Sequence, residues 1–519
     1  MTTAPFVPFH ELVAAHAAAR PQDLAFVEGE HRVDWQTLHA HAGAVARALV
    51  GAGLEPHERV AVLGHPSLGY VECLFGIVAA RGCVVPLPAT ASVEALEIML
   101  VDCDARFLFL DPDVEPALLR AAERLARQRS IIAVHLGPEG HEGESYAAWR
   151  AQGDNDRALP QAQPDDPFNI IYSSGTTGMP KGIVHLHGMR QRQACRGGFG
   201  FGPASRTLLA TPMYSNTTIT PLLGSAAHGG ASVLMRRFDA GRYLATAAAE
   251  HATHTMLVPV QYKRLLAHAA FGRHDLSAFQ VSQCTGAPMD VALKREILAR
   301  WPGRFLEVYG MTEGGVSCFL DARQHPDKLA TVGRPVHGTE VFLLDDAGRR
   351  LPDEPGLTGE VAGRSPFMMA GYHNRPDATA EIRWFGGDGG IYHRTGDIGR
   401  FDADGFLTLL DRKKDVIISG GHNVYAADLE AVLARHPDVQ DSAVIGVPSE
   451  QWGETPLALV VARPGAQIDA AQLRDWVNGQ VGKMQRLHAV ELRSELPRSP
   501  LGKLSKKELR APYWRAPSG

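Results

Sequence analysis

Only six of the 519 residues are cysteine (Cys73, Cys83, Cys103, Cys195, Cys284, Cys318), and no two form a CxxC pair. That argues against a disulfide framework or a cysteine-built zinc site and fits a reducing cytoplasm. Histidines number 23, yet none fall into an H-E-x-x-H or similar ligand spacing. Long apolar runs are missing too. The longest stretch, from Tyr70 to Ala80, is interrupted by Glu72 and is far short of the ~20 apolar residues a membrane span needs. The N-terminal stretch MTTAPFVPFHELVAAH lacks a basic segment followed by an apolar core, so no secretory signal is expected. There is no excess of positive charge: 52 Lys and Arg against 57 Asp and Glu give a net −5. A generally basic nucleic-acid coat is excluded, and only a local basic patch stays open. What remains is 45% hydrophobic and 21% charged, the composition of a soluble globular chain. At roughly 150 residues per domain, the length allows about three domain-sized units.

Short β-branched runs alternate with helical patterns in the first part. VAVLG at 60–64, VVPL at 84–87, ARFLFL at 105–110 and residues 131–136 read as strands. Residues 70–80, 93–103 and 116–127 between them read as helices. This rhythm predicts βαβ crossovers and a mostly parallel sheet. It resumes after residue 205, with strands expected at 207–211, 232–235, 255–258, 279–283 and 305–309 and a helix at 290–301. From about 331 to 401, Gly and Pro become dense and short alternating runs suggest a small antiparallel, barrel-like β unit. After the charged junction Asp411-Arg412-Lys413-Lys414-Asp415 comes a unit with a hairpin (VIISGGHNVY), helices at 427–435 and 470–481, and strands at 442–447 and 457–461. The expectation is an α/β chain. Its large N-terminal domain, 1–411, has two parallel-type layers plus the β unit; a small α+β domain, 412–519, follows. Residues 483–515 carry nine Lys or Arg against three Glu. That reads either as a solvated helical face or as a contact for a polyanion such as a nucleotide.

The densest chemical signal is Tyr172-Ser-Ser-Gly-Thr-Thr-Gly-Met-Pro-Lys181-Gly182. Small residues let backbone N–H groups turn toward an anion, and hydroxyls add donors. It follows a strand-like Ile170-Ile171 and does not fit the Walker pattern G-x-x-x-x-G-K-[ST]. A flexible surface loop is the bland alternative.

The string resembles the phosphate loop of the adenylate-forming superfamily, which includes acyl-CoA synthetases, stand-alone adenylation domains and luciferases. Six further motifs resemble that family in the same order. They are Tyr309-Gly310-Met311-Thr312-Glu313, Gly359-Glu360 with Gly371-Tyr372, Tyr392-His-Arg-Thr-Gly-Asp397 (one residue longer than Y-x-T-G-D), Asp411-Arg412-Lys413-Lys414, Gly420-Gly421-His-Asn423, and Pro497 through Gly502-Lys503. The resemblance spans about residues 10 to 510 and implies a mobile C-terminal domain.

The resemblance implies that a carboxylate is joined to the α-phosphate of ATP with release of pyrophosphate, after which a thiol takes the acyl group. Such a site needs donors, a cation and a metal against the gathering negative charge. Ser173, Ser174, Gly175, Thr176, Thr177, Gly178 and Lys181 are implied as the phosphate cradle. Thr312 is implied at the α-phosphate and Glu313 as the Mg²⁺ ligand, hard cations preferring carboxylate oxygen. Tyr309 and Gly310 would flank the adenine on one side, Gly286, Ala287 and Pro288 on the other. Asp397 would accept from the ribose hydroxyls, with Arg412 as a second ribose or phosphate contact. Lys503 is implied as the mobile catalytic cation, Lys414 as the hinge, and Gly420 and Gly421 as a turn that lets a pantetheine arm pass close to the backbone. Plain readings stand beside these: an exposed acid for Glu313, a turn residue for Asp397, an ordinary β-turn for the glycine pair, and one more basic-tail lysine for Lys503.

By analogy the acyl pocket is lined by Tyr214, Ser215, Asn216, Thr217, Cys284, Thr285, Gly314, Gly315 and Val316. Ser215 stands where relatives often carry a gating histidine, and no Asp lies nearby to pair an amino-acid ammonium. The set is small and partly polar, so a wholly aliphatic long chain would leave donors unsatisfied. The expected activity is an ATP-, Mg²⁺- and CoA-dependent carboxylic acid–CoA ligase acting on a small, aromatic or oxygenated acid. The alternatives are an acyl-adenylate ligase loading a carrier protein, a luciferase-like oxygenase, or a non-catalytic nucleotide-binding protein. The residues leave monomer and homodimer both open.

Overall fold

The computed structural model describes residues 5–136, 145–173, 179–420, 422–498 and 504–514. The chain divides into two compact units. The first runs through residue 327 and takes in 336–339 and 364–393; the second holds 328–335, 340–363 and the chain from 394 on. The β-rich stretch expected at 331–401 is thus shared between units, and the second unit begins upstream of the charged junction at 411.

Two sheets build the first unit. One has seven strands in the order Gly371–Tyr372, Lys181–Leu186, Pro167–Ser173, Cys83–Leu87, Arg59–Leu63, Ala105–Leu110, Ile132–His135. Its pairings from Pro167–Ser173 through Ile132–His135 are parallel; those of Lys181–Leu186 with its two neighbours are antiparallel. The crossover helices Leu68–Ala79, Val93–Cys103 and Pro116–Gln128 lie where the alternation placed them. Their starts are capped by Ser67, Ser92 and Glu115 side chains accepting from backbone N–H groups inside the first turn. The second sheet runs Arg304–Gly310, Val281–Cys284, His254–Leu257, Arg206–Leu209, Ala231–Leu234, Leu24–Glu28, all parallel. Antiparallel strands Ser317–Asp321 and His31–Asp34 flank it. Strands buried on both faces explain the unbroken apolar runs.

The second unit holds the antiparallel pairing of residues 397–401, from strand Ile391–Phe401, with Leu407–Arg412, in one sheet with Glu340–Leu344 and most of Thr358–Arg364. This sheet is open; among the described residues no closed barrel forms. A separate sheet orders His422–Val424, Ile417–Ser419, Gly453–Ala462 and Val439–Ser449, with Ala489–Leu492 parallel to Gly453–Ala462. Helices Ala426–Leu433 and Ala470–Asn478 contribute to its core. The described cations of the basic tail are mostly ion-paired: Arg493 with Glu491, Arg498 with Asp441, Lys506 with Glu430, Arg510 with Asp415. This favours the solvated-face reading of that segment. Among the described residues no helix is long and apolar enough to cross a membrane.

Glu72, the charge inside the apolar run, is buried on helix Leu68–Ala79. Its carboxylate accepts from the Tyr146 hydroxyl at 2.6 Å, from Arg150 Nη1 at 2.7 Å and from His41 Nδ1 at 2.7 Å. Burial alone would raise this carboxyl; the donors outweigh it and hold it below its ordinary value. Glu72→Ala strands the Arg150 charge and should lower the unfolding free energy by about 3–5 kcal/mol in urea titrations. Because the folded carboxyl lies below the unfolded one, its contribution is complete above about pH 4.3. It is lost as the pH falls through the depressed value, so the gap between wild type and variant should close in acid.

Candidate active site

Ser173 and Lys181 are directly opposed in the antiparallel pairing of Pro167–Ser173 with Lys181–Leu186. The Tyr172 hydroxyl beside that pair donates to Asp102 Oδ2 at 2.7 Å. Ser174, Gly175, Thr176, Thr177 and Gly178 lie outside the described residues, as do Gly421 and Lys503.

Thr312 and Glu313 leave the end of strand Arg304–Gly310 and enter a turn at Gly314 (φ 73°) and Gly315 (φ 87°). A Cβ on Gly314 would lie 2.2 Å from the Phe367 carbonyl oxygen, so only glycine fits there. The dipeptide is held at its own carbonyls. Thr312 O accepts from His185 Nε2 at 2.8 Å, and Glu313 O from His393 Nδ1 at 3.1 Å. Burial depresses both imidazoles, His393 to about 4 and His185 well below its ordinary value, so both are neutral at pH 7 and each puts one proton where the carbonyl needs it. Glu313 Oε1 accepts from the Tyr372 hydroxyl at 2.7 Å, and the Lys181 ammonium lies 5.3 Å from the centre of the same ring. Tyr372 stays protonated, its hydroxyl pushed up by burial and by Glu313. One tyrosine therefore links the lysine and the acid. Neither histidine was singled out from the sequence, and Tyr372 appeared only as the second letter of a G-Y motif.

Gly286 (φ 91°), Ala287 and Pro288 follow strand Val281–Cys284, the parallel neighbour of Arg304–Gly310. The loop they form and the Tyr309-to-Glu313 segment thus leave the same carboxyl edge of the sheet, where open α/β sheets bind ligands. Thr285 Oγ1 donates to Val308 O at 2.8 Å and ties the two strand ends together. Of the expected acyl-pocket residues, Cys284 and Val316 are buried in the core, and Tyr214 pairs its hydroxyl with Thr90 Oγ1 at 3.1 Å. Ser215 caps helix Asn216–Ala227, accepting from Thr217 N at 3.2 Å and donating to Thr217 Oγ1 at 3.0 Å. Serine at the position where relatives often carry histidine thus has a structural use of its own.

In the second unit Asp397 and Arg412 are cross-strand partners, with Oδ1 and Nε 2.8 Å apart. Arg412 Nη1 also donates to Thr395 O at 2.9 Å. Buried Glu360 gathers Arg394 and Lys413. Lys414 sits in the 3₁₀ turn Lys413–Asp415; burial lowers its ammonium, and its carbonyl accepts from Arg510 Nη1 at 3.1 Å. Gly420 has φ 56°, and a Cβ there would meet the Trp452 ring at 2.8 Å.

The AMP-binding enzyme family model matches residues 13–373, and the AMP-binding enzyme C-terminal domain matches residues 428–503. The chain is 33% identical to a feruloyl-CoA synthase of Amycolatopsis sp, over 95% of this chain and 96% of that one. It is 32% identical to the fatty acid–[acyl-carrier-protein] ligase ScoC of Streptomyces coeruleorubidus, over 96% of this chain and 95% of the other. Among solved structures, ATP-bound MatB from Rhodopseudomonas palustris superposes with a TM-score of 0.85 at 28% identity, covering 98% of this chain and 99% of that one. The two family-model matches and this end-to-end likeness lead to one placement: the chain belongs to the AMP-binding enzyme family, in its adenylate-forming acyl-CoA synthetase branch.

Proposed function

We propose that the protein is an ATP-dependent carboxylic acid–CoA ligase for a small, aromatic or oxygenated acid. The observation that carries this reading is the Thr312–Glu313 dipeptide, fixed at both carbonyls and at its carboxylate, in a chain alike from end to end to acid–thiol ligases. In the first step a carboxylate oxygen attacks the α-phosphorus of ATP. A new P–O bond forms, the bond to the β-phosphate oxygen breaks, and pyrophosphate leaves. In the second, a thiol attacks the acyl carbonyl, a C–S bond forms, the C–O bond to AMP breaks, and AMP departs.

Lys181 and residues Ser173 to Gly178 hold the β- and γ-phosphates. Thr312 donates to the α-phosphate, with its main chain already immobilised, so little reorganisation accompanies the developing charge. Glu313 is the group for Mg²⁺. Among the described residues no group of three or more acids, histidines or cysteines is arranged to hold a metal ion. A single oriented carboxylate matches magnesium's habit of taking one or two carboxylates beside substrate phosphates. When bound, the ion neutralises phosphate charge. Asp397 and Arg412 serve the ribose, and Tyr309, Gly310 and Gly286–Pro288 the adenine. Lys503 stabilises charge in the first step, and rotation at Lys414, at a functional boundary between residues 411 and 412, removes it for the second. The Gly420-Gly421 turn then passes the pantetheine arm. The likeness to ScoC supports a second reading, in which the thiol belongs to a carrier protein.

Lys503→Ala should lower acid-dependent pyrophosphate release by about 10²–10³, yet leave the reaction of added acyl-adenylate with CoA much less affected. Unchanged pyrophosphate release would contradict the role given to Lys503. Across a panel of acids, palmitate should turn over more slowly than short or aromatic acids in a coupled AMP assay. The reverse order would remove the argument from pocket polarity.

A further inference from the structure

Helix His187–Ala194 (HGMRQRQA) has the composition of a surface helix, yet most of it is buried. Arg190 is fully enclosed, and burial pulls its guanidinium down to about 9. It therefore stays charged at pH 7. Among the described residues no carboxylate pairs with it. Its Nε donates to Asn169 Oδ1 at 2.8 Å and its Nη1 to Gln193 Oε1 at 2.7 Å; its Nη2 meets His185 Nδ1 at 3.0 Å and Asn216 Oδ1 at 2.9 Å. Every partner is a neutral dipole. Well-packed apolar residues often replace buried charges at no loss of stability, so stability alone gives no reason for this cation.

A guanidinium has donors only, and this fixes the polarity of everything it touches. His185 Nδ1 must accept from Arg190, and it receives a second N–H from Asn169 Nδ2 at 3.2 Å. The imidazole proton is thereby forced onto Nε2, the atom that donates to Thr312 O. Asn216 must turn its oxygen toward Arg190, which turns its NH₂ group the other way. That side chain is partly exposed, and among the described residues its Nδ2 donates to nothing. Asn216 opens helix Asn216–Ala227, whose N-terminal dipole adds positive potential at the same place.

We infer that Arg190 is a positioning residue with two outputs: through His185 it fixes Thr312, and through Asn216 it presents an N–H donor that selects acids carrying an acceptor oxygen on the acyl group. This rests on the ligase reading for the identity of the acyl-binding side. The acid class it names is one with a ketone, ether, phenolic or second carboxylate oxygen beyond the reacting carboxyl. An acid lacking that oxygen leaves the Asn216 donor unsatisfied once water is excluded.

The test is ATP–pyrophosphate exchange, which reads adenylation without any thiol, on matched acids such as 4-methoxycinnamate against 4-methylcinnamate and 5-oxohexanoate against heptanoate. Wild type should prefer the oxygenated member, and Asn216→Leu should collapse that preference in kcat/KM by roughly tenfold or more. Arg190→Met should collapse it too and also lower kcat for both members. Arg190→Lys keeps the charge but cannot span the four partners, so it should lose the preference while thermal melts show it folded. A wild type without preference, an unchanged ratio in Asn216→Leu, or wild-type kcat and ratio in both Arg190 variants would overturn the inference. Exchange with the preference intact but no acyl-CoA formed would support it and overturn the CoA reading instead.

Discussion

The carbonyl oxygens of Thr312 and Glu313 are the fixed points on which the first unit's chemistry depends. A strand that ends in a glycine turn leaves its last carbonyls without ladder partners, and buried carbonyls must be satisfied. Here His185 serves Thr312 O, and His393 joins the Met369 backbone N–H at Glu313 O, each imidazole neutral because burial disfavours its charged form. Tyr372 reaches the Glu313 carboxylate, while the close approach of Phe367 restricts position 314 to glycine. The acid is thus oriented before any ligand arrives, and orientation set in advance is what electrostatic catalysis requires.

Behind this turn stands a charge with no opposite partner. Arg190 forms with Asn169 and His185 a closed set of hydrogen bonds whose direction admits one solution, because the guanidinium can only donate. A neutral side chain there would leave the Asn216 amide free to turn over and would remove one of the two donors that hold His185 Nδ1 as an acceptor. The second unit uses a simpler device. Asp397 and Arg412 meet across an antiparallel register, and Glu360 draws Lys413 into the adjoining strands, so the residues before Lys414 are anchored by charge and those after it by Arg510.

Much of this was legible in the sequence. The parallel strands and their crossover helices follow from apolar runs punctuated by Ser and Glu caps, and the strand at Arg304–Gly310 announces the Thr312–Glu313 turn. The antiparallel pairing of Pro167–Ser173 with Lys181–Leu186 was not, because it departs from the parallel strands beside it. Nor was the open sheet around Ile391–Phe401, where dense Gly and Pro suggested closure. His185 and Arg190 escaped for a plainer reason. His185 sits near the end of a short strand and Arg190 on a helix of surface-like composition, and only long-range contacts bring the two together inside. The same limit applies to Ser215, whose role as a helix cap needs the neighbouring Thr217 amide in view.

The most direct measurement is mass spectrometry of the protein incubated with ATP, Mg²⁺, CoA and a panel of carboxylic acids. The account predicts acyl-CoA masses, with AMP and pyrophosphate formed in step, and the best acid among the aromatic or oxygenated members. Accumulation of acyl-AMP with CoA left free would contradict the CoA assignment and point to a carrier-protein thiol. The absence of acyl-AMP and acyl-CoA with every acid would contradict the adenylation chemistry itself.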